Sequence, residues 1–422
     1  FCSGGGGIDL SCNSIKDVSG IYFCDGSSFT QGNSLDISAN TVHITKTNLI
    51  VDGSGLIQEL TVGLGGGDIS SNTVVGYQAL YSNTDGSYNV ATGYQALYDN
   101  IDGINNVATG HQALYSNIDG INNVATGYKA LYFNTTGINN VATGYRALYS
   151  NTDGSYNVAN GYEALILNTG SNNVATGYKA LHENTTGSYN TATGSQALFN
   201  NTTASYNTAT GTQALILNET GINNVATGSK ALFKNTDGSN NVATGARALF
   251  KNTTGKNNVA TGYQALHENT TGKNNVATGY EALFKNTGSN NVATGSLALQ
   301  ANDSGSNNVA TGYQTLYTNT TGSNNTAYGH KALKFNNATN NVATGYEALH
   351  FNTIGSYNTA NGHQALYNNN IGSHNVATGN AALQSNTDGS NNVATGFAAL
   401  YSNTGSNNVA TGARALFKNT TG

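Results

Sequence analysis

The residues able to do chemistry are few and fall at regular intervals. Asp85, Asp102 and Asp119 recur seventeen residues apart. Stacked one above another at about 5 Å, three carboxylates would present the oxygen set that Ca²⁺ prefers. The same positions read more simply as turn-forming Asp in Asp-Gly corners, and a column broken by Thr136 makes a poor cage. Eight His (His43, His111, His182, His267, His330, His350, His363 and His374) show no metal-ligand spacing, and all but His43 sit at varied positions expected to be exposed. Cys2, Cys12 and Cys24 are candidates for a disulfide; an odd number leaves one intramolecular bridge plus a spare thiol, or a bridge to another subunit. Acceptor sequences for N-glycosylation recur at Asn134, Asn184, Asn201, Asn252, Asn269, Asn319 and Asn419, and less regularly at Asn218 and Asn302. No Ser/His/Asp or Cys/His constellation and no phosphate loop recurs, so catalysis is not expected, and no cofactor is implied.

The element that must position these residues is a repeat, well seen in NVATGHQALYSNIDGIN from Asn106 to Asn122. Aligned on the Gly that closes "VATG", from Gly76 to Gly412, there are 21 copies, spaced by 17 residues except at four places, where the spacing is 16. A fixed period of this size marks a solenoid, in which each unit buries its apolar face against its neighbours. Leu stands four residues after the Gly in every copy (Leu80, Leu97, Leu114, Leu131 and onward). Ala precedes it everywhere except at Thr315. These form the apolar spine. A second Ala, two before the Gly, is present in all copies but the first.

Asn occupies two further columns without exception, four before the Gly (Asn89, Asn106, Asn123) and seven after it (Asn83, Asn100, Asn117). Rungs stacked at about 4.8 Å would let these amides form ladders. In three of the shortened copies the corner reads "NTG" (Asn168–Gly170, Asn286–Gly288, Asn403–Gly405), as an exposed turn permits. The two positions after the Gly vary freely and mix charges, as a solvated face does. The repeat therefore predicts an all-β parallel solenoid of 21 rungs of 16 or 17 residues, with two short strands per rung, "NVATG" and "xxALY". Helix is excluded by the density of Asn, Gly and Thr.

Composition agrees. Pro, Met and Trp are absent and charged residues make up 9%, which suits an uninterrupted backbone ladder around a thin core. With net charge −5 and 16 thinly spread basic residues, no stripe exists to hold a nucleic-acid backbone. No apolar run is long enough to cross a bilayer, and a chain that starts at Phe1 reads as a processed or partial product. Residues 1–71 lack the repeat and hold the three Cys. They are expected to form an irregular β cap or connector with strands near Ile8–Cys12, Gly20–Cys24 and Thr41–Thr45, and the rod is expected over 72–422.

The string NNVATGYQAL at Asn257–Leu266 resembles the "NSVAIG" head repeats of YadA-like trimeric autotransporter adhesins, and also the Asn- and Gly-rich tandem repeats of phage and large-virus tail-fibre-like proteins. Thr replaces the Ile of that motif in most copies (Thr92, Thr109, Thr126), making one strand face more polar. The resemblance implies a left-handed β-roll, three chains side by side, and a place outside the cell or on a virion surface. The expected function is then a structural fibre or stalk, a homotrimer or head-to-tail filament, serving in attachment to a cell-surface receptor or glycan. Tyr81, Tyr98, Tyr115, Tyr132 and Tyr149, one after the Leu, are the residues expected to pack against another chain. The alternative is a ligand-, glycan- or ice-binding solenoid using a repetitive Thr/Asn face.

Overall fold

In the computed structural model, residues 20–22, 28–30, 55–57 and 60–420 are described. Cys2, Cys12, Cys24, His43 and the strands expected at 8–12 and 41–45 lie outside them. The chain divides into two compact units, Phe1–Asp52 and Gly53–Gly422. In the first, β1 (Gly20–Tyr22) pairs antiparallel with β2 (Ser28–Thr30).

The second unit is a parallel β-solenoid of about 20 turns. It begins with a hairpin, β3 (Gly55–Ile57) and β4 (Leu60–Gly63), and β4 pairs antiparallel with the first repeat strand, β5 (Thr73–Gly76). From β5 onward every pairing in this sheet is parallel: Val90–Thr92 on Val107–Thr109, that strand on Val124–Thr126, and so on to Val409–Thr411. The compact unit that holds the repeats starts earlier than the first repeat strand, because the hairpin adds two strands to the same sheet. That hairpin covers a parallel edge that would otherwise offer unpaired donors and acceptors. The turn at Gly66–Asp68 does the same for the rest of the first rung, since Gly66 N–H donates to the Leu80 carbonyl at 2.8 Å.

Within a rung the strand is only three residues long, and its middle Ala points inward at 0% exposure (Ala91, Ala108, Ala125). Opposite it sit the second Ala and the Leu, also fully buried. One Leu and two Ala per rung form a single core from Val74, which takes the strand-Ala place in the first rung, to Ala410. So thin a core is filled by small and medium side chains. Burying each Leu contributes roughly 1.5–3 kcal/mol.

The second expected strand is not one. Residues "xxALY" bond rung to rung: Gln95 N–H to the Tyr77 carbonyl at 2.8 Å, Leu97 N–H to the Ala113 carbonyl at 3.0 Å and Asp99 N–H to the Tyr115 carbonyl at 2.8 Å. Yet the Leu of every rung has φ between 46° and 52°, and the residue two before it has φ between 49° and 61°. These left-handed residues, at roughly 1–2 kcal/mol each, turn the chain back on itself within a few residues and aim Leu at the strand Ala. Among the described residues, strand geometry returns in short stretches just after this segment, such as Phe335–Asn336 beside Phe351–Asn352. The aligned Gly has φ from 120° to 151° in all copies. A Cβ on Gly127 would lie 2.5 Å from the Gly144 carbonyl oxygen of the next rung, so no other residue fits.

Candidate functional site

The corner is built from both Asn columns and is tighter than its composition suggests. In the column after the Gly, each amide nitrogen donates twice. Asn117 Nδ2 reaches Asn100 Oδ1 at 2.8 Å and the Gly120 carbonyl at 3.0 Å, and Asn134 Nδ2 then reaches Asn117 Oδ1 at 2.8 Å. This is the expected amide ladder. The other column works differently: Asn106 Oδ1 accepts the backbone N–H of Asn123 at 2.9 Å, while Asn106 Nδ2 donates to the Gly120 carbonyl at 2.7 Å. The corner carbonyl thus receives one amide from each column, which pins the turn to the strand. Side-chain amide-to-amide bonds within this second column occur in only some rungs, among them Asn241 Nδ2 to Asn224 Oδ1 at 3.3 Å.

That geometry corrects the expectation that the corner displays its glycosylation acceptors. Asn134, Asn184, Asn201, Asn252, Asn269 and Asn319 are 0% exposed, with Nδ2 held between two oxygens. Asn419, in the last rung, is half-buried and its Nδ2 donates to Asn403 Oδ1 at 3.0 Å. What the corner exposes is the residues between Asn and Gly, such as Thr84 and Asp85. The deletions fall there: Asn168–Gly170 keeps its buried ends and loses one exposed residue.

Asp85, Asp102 and Asp119 sit on that exposed lip. The Asp102 carboxylate accepts the Thr84 hydroxyl at 3.2 Å. Among the described residues no three His, Cys, Asp or Glu side chains are grouped to hold a metal ion.

Outside the Leu wall, two columns of rings run along the rod. Tyr77, Tyr94, His111, Tyr128, Tyr145, Tyr162 and Tyr178 stack continuously with centroids 4.8–5.4 Å apart. Tyr81, Tyr98, Tyr115, Tyr132 and Tyr149 form the second stack at 4.9–5.4 Å. Stacking covers both ring faces and leaves edges and hydroxyls outward. Between the columns lies the variable second position, where Gln95 and Gln112 bond side chain to side chain at 2.8 Å and Lys129 lies 5.5 and 5.1 Å from the ring centres of Tyr128 and Tyr132.

This column was expected to be a solvated face, and in places it is not. Glu163 is 9% exposed and gathers Arg146 at 3.8 Å, Lys179 at 3.4 Å and His182 at 3.4 Å. The signal lay in Arg, Glu and Lys following one another in one column, but their burial depends on the flanking rings. The His expectation also changes. His111, His363 and His374 are exposed, His182 and His330 half-buried, and His267 and His350 buried. The last two take the place of an aromatic ring in the stack: His267 lies between Phe250 at 4.9 Å and Phe284 at 4.7 Å. Burial pushes the imidazoles of His182, His267 and His350 below the usual range. The hydrogen bond from Lys251 at 2.7 Å holds the Glu268 carboxyl below its usual range. These two residues border a cleft of about 310 Å³ with Lys285, Thr287 and Asp303, beside the shortened corner at Asn286–Gly288.

Taken together, the side chains of the rod make ladders and stacks along its length instead of converging on one point. The class this defines is a parallel β-solenoid with repeating faces. Comparison with protein-family models, with curated proteins and with solved structures returned no match.

Proposed function

We propose that the chain is the rod of an extracellular or virion-surface fibre, a spacer whose length is its function. The observation that carries this reading is the continuity of the rung-to-rung bonding. From Thr73 N–H on Asn89 O at 2.9 Å to Thr404 N–H on Asn419 O at 3.1 Å, backbone bonds and Asn ladders join each turn to the next, across all four shortened repeats. A stack of 21 rungs at about 4.8 Å extends near 100 Å. Copies associate side by side as a homotrimer or end to end as a filament, and the assembly serves in attachment to a cell-surface receptor or glycan. The Tyr81-to-Tyr149 column supports side-by-side contact, because its outward ring edges and hydroxyls suit a neighbouring chain. Association there leaves the strand face free.

Negative-stain electron microscopy of the purified chain tests the rod, and light scattering after size exclusion tests association. Particles near 100 Å long, as trimers or longer filaments, are expected. Compact particles of one-third that length would sink the rod reading, and a strictly monomeric rod at all concentrations would sink the association.

A further inference from the structure

The strand face of the rod carries a two-dimensional lattice that the structural reading does not use. In each three-residue strand the first and third residues point outward and the middle Ala inward. The third-position column reads Thr in nine consecutive rungs: Thr176, Thr193, Thr210, Thr227, Thr244, Thr261, Thr278, Thr294 and Thr311. Beside them the first column holds Val, or Thr at Thr191 and Thr208. Asn160 and Tyr328 bound this window.

Four features of the lattice belong together. First, neither column contains an Asp, Glu, Lys or Arg in any of the 21 repeats, although charges occur in other columns. Second, the register never slips. At the four shortened repeats the pairing stays in step, Val158 on Val174, Val276 on Val292, Thr326 on Val342 and Val393 on Val409, because every missing residue is taken from elsewhere in the rung. Third, among the described residues these nine Thr hydroxyls make no side-chain hydrogen bond to the protein. The corner Thr hydroxyls differ, since Thr236 and Thr253 donate to backbone carbonyls of the next rung at 3.0 and 2.8 Å. These nine hydroxyls are therefore left to water, in a single row along the strand face. Fourth, the row spacing is set by the fold, at about 4.8 Å between rungs and about 6.6 Å between outward residues of one strand.

We infer that the window from Val174 to Thr311 is a binding surface for ice. Its two repeats lie close to those of the oxygen lattice on a prism face of hexagonal ice. Thr hydroxyls supply hydrogen-bonding positions in register, and the methyl groups of Val and Thr order adjacent water without competing for its hydrogen bonds. A charged side chain would hold its own hydration shell and break that order, so a charge-free face matches this occupant. The ladders and stacks described above hold the lattice rigid, so little ordering entropy is lost on contact.

The full chain is tested by nanolitre osmometry, with crystal morphology recorded in the same experiment. Thr244→Tyr places a ring in the middle of the window. The fold accepts this, since Tyr328 occupies the same column in register with Thr311. Ser229→Tyr is the control: it adds the same ring to the outer aromatic column, where Tyr263 already stands, and leaves the lattice unchanged. The wild-type chain is expected to open a gap between melting and freezing points that grows with concentration, and to facet growing crystals. Thr244→Tyr should reduce the gap several-fold, and Ser229→Tyr should keep it, with unchanged far-UV circular dichroism for both. Absence of a gap in the wild-type chain overturns the inference, as does an equal loss in both variants. A multimer that Thr244→Tyr alone dissociates also overturns it, by assigning the face to a second copy. Rod length by microscopy is read independently, so failure here is distinguishable from failure of the spacer reading.

Discussion

Truncating one amide of the corner ladder tests the account of what holds the rungs together. Asn235 is 0% exposed; its Nδ2 donates to Asn218 Oδ1 at 2.8 Å and to the Gly238 carbonyl at 2.7 Å, and its Oδ1 accepts from Asn252 Nδ2 at 2.8 Å. Asn235→Ala removes all three bonds, but their costs differ. The Gly238 carbonyl keeps the Asn224 amide at 2.8 Å, and Asn252 Nδ2 keeps the Gly255 carbonyl at 2.9 Å. Asn218 Oδ1 loses its donor and stays buried. One orphaned acceptor at about 1–3 kcal/mol and two lost bonds at about 0.5–1.5 kcal/mol each give a destabilisation of about 2–6 kcal/mol. Water entering the vacated space would bring the figure toward the lower end. The comparison variant is Asn240→Tyr, on an exposed column that already holds Tyr88, Tyr156 and Tyr189 in the same left-handed conformation. It should change stability by no more than about 0.5 kcal/mol. Urea denaturation followed by circular dichroism measures both. Because coupling in a solenoid runs between neighbours, hydrogen exchange in Asn235→Ala should accelerate first between residues 218 and 255 and spread from there. Equal midpoints for the two variants, or uniform acceleration along the rod, would refute the reasoning.

Deleting Asp237 converts the corner Asn235–Gly238 into the three-residue form seen at Asn286–Gly288. It loses an exposed contact with Thr220, the Ser239 hydroxyl bond to its carbonyl, and the bond from Asp237 N–H to the Thr253 carbonyl at 3.0 Å. In the three-residue corner the Thr makes such a rung-to-rung bond, as Thr287 N–H does to the Asp303 carbonyl, so the cost should stay within about 1 kcal/mol, whereas deleting Ala243 shifts the strand alternation and should abolish the cooperative transition in the same melt. His267→Phe should reduce acid sensitivity. The folded imidazole titrates below its unfolded value, held down first by burial and then by Lys251 and Arg247 against the opposing Glu268 and Glu281. The histidine therefore contributes stability that is present above the unfolded pKa and lost as pH falls through the folded one, and a melting series from pH 7 to 4 should show a shallower decline in the variant. Folded rod recovered from a glycosylating host should carry no glycan at Asn134, Asn184 or Asn252, as read by peptide mass spectrometry; a folded rod bearing one there would contradict the buried amide geometry.

Much of the fold was legible because each rung has nearly identical neighbours above and below. A contact between rungs is a contact between like positions, so the columns of one chain report packing directly. Leu80, Leu97 and Leu114 announce an inward wall, and the shortened corners announce where the chain can lose a residue. The candidate faces were less legible. Polarity suggested that the corner Asn is displayed, and only the stacking of the next corner against it shields the amide. The variable column suggested open solvent, and only the stacking of neighbouring rungs buries Glu163 and half-covers its partners.

By itself the sequence determined the period, the inward Leu and Ala, the two Asn columns and the parallel stacking of rungs, since a repeated pattern with a fixed step can bury its apolar residues in few ways. The sign of φ at Leu and at the residue two before it was decided by tertiary structure alone. Leu, Gln and Lys carry no intrinsic preference for the left-handed region. They adopt it because a rung of 16 or 17 residues must double back within a few residues to bring Leu97 against Ala91 while keeping its backbone bonds to the rungs on both sides.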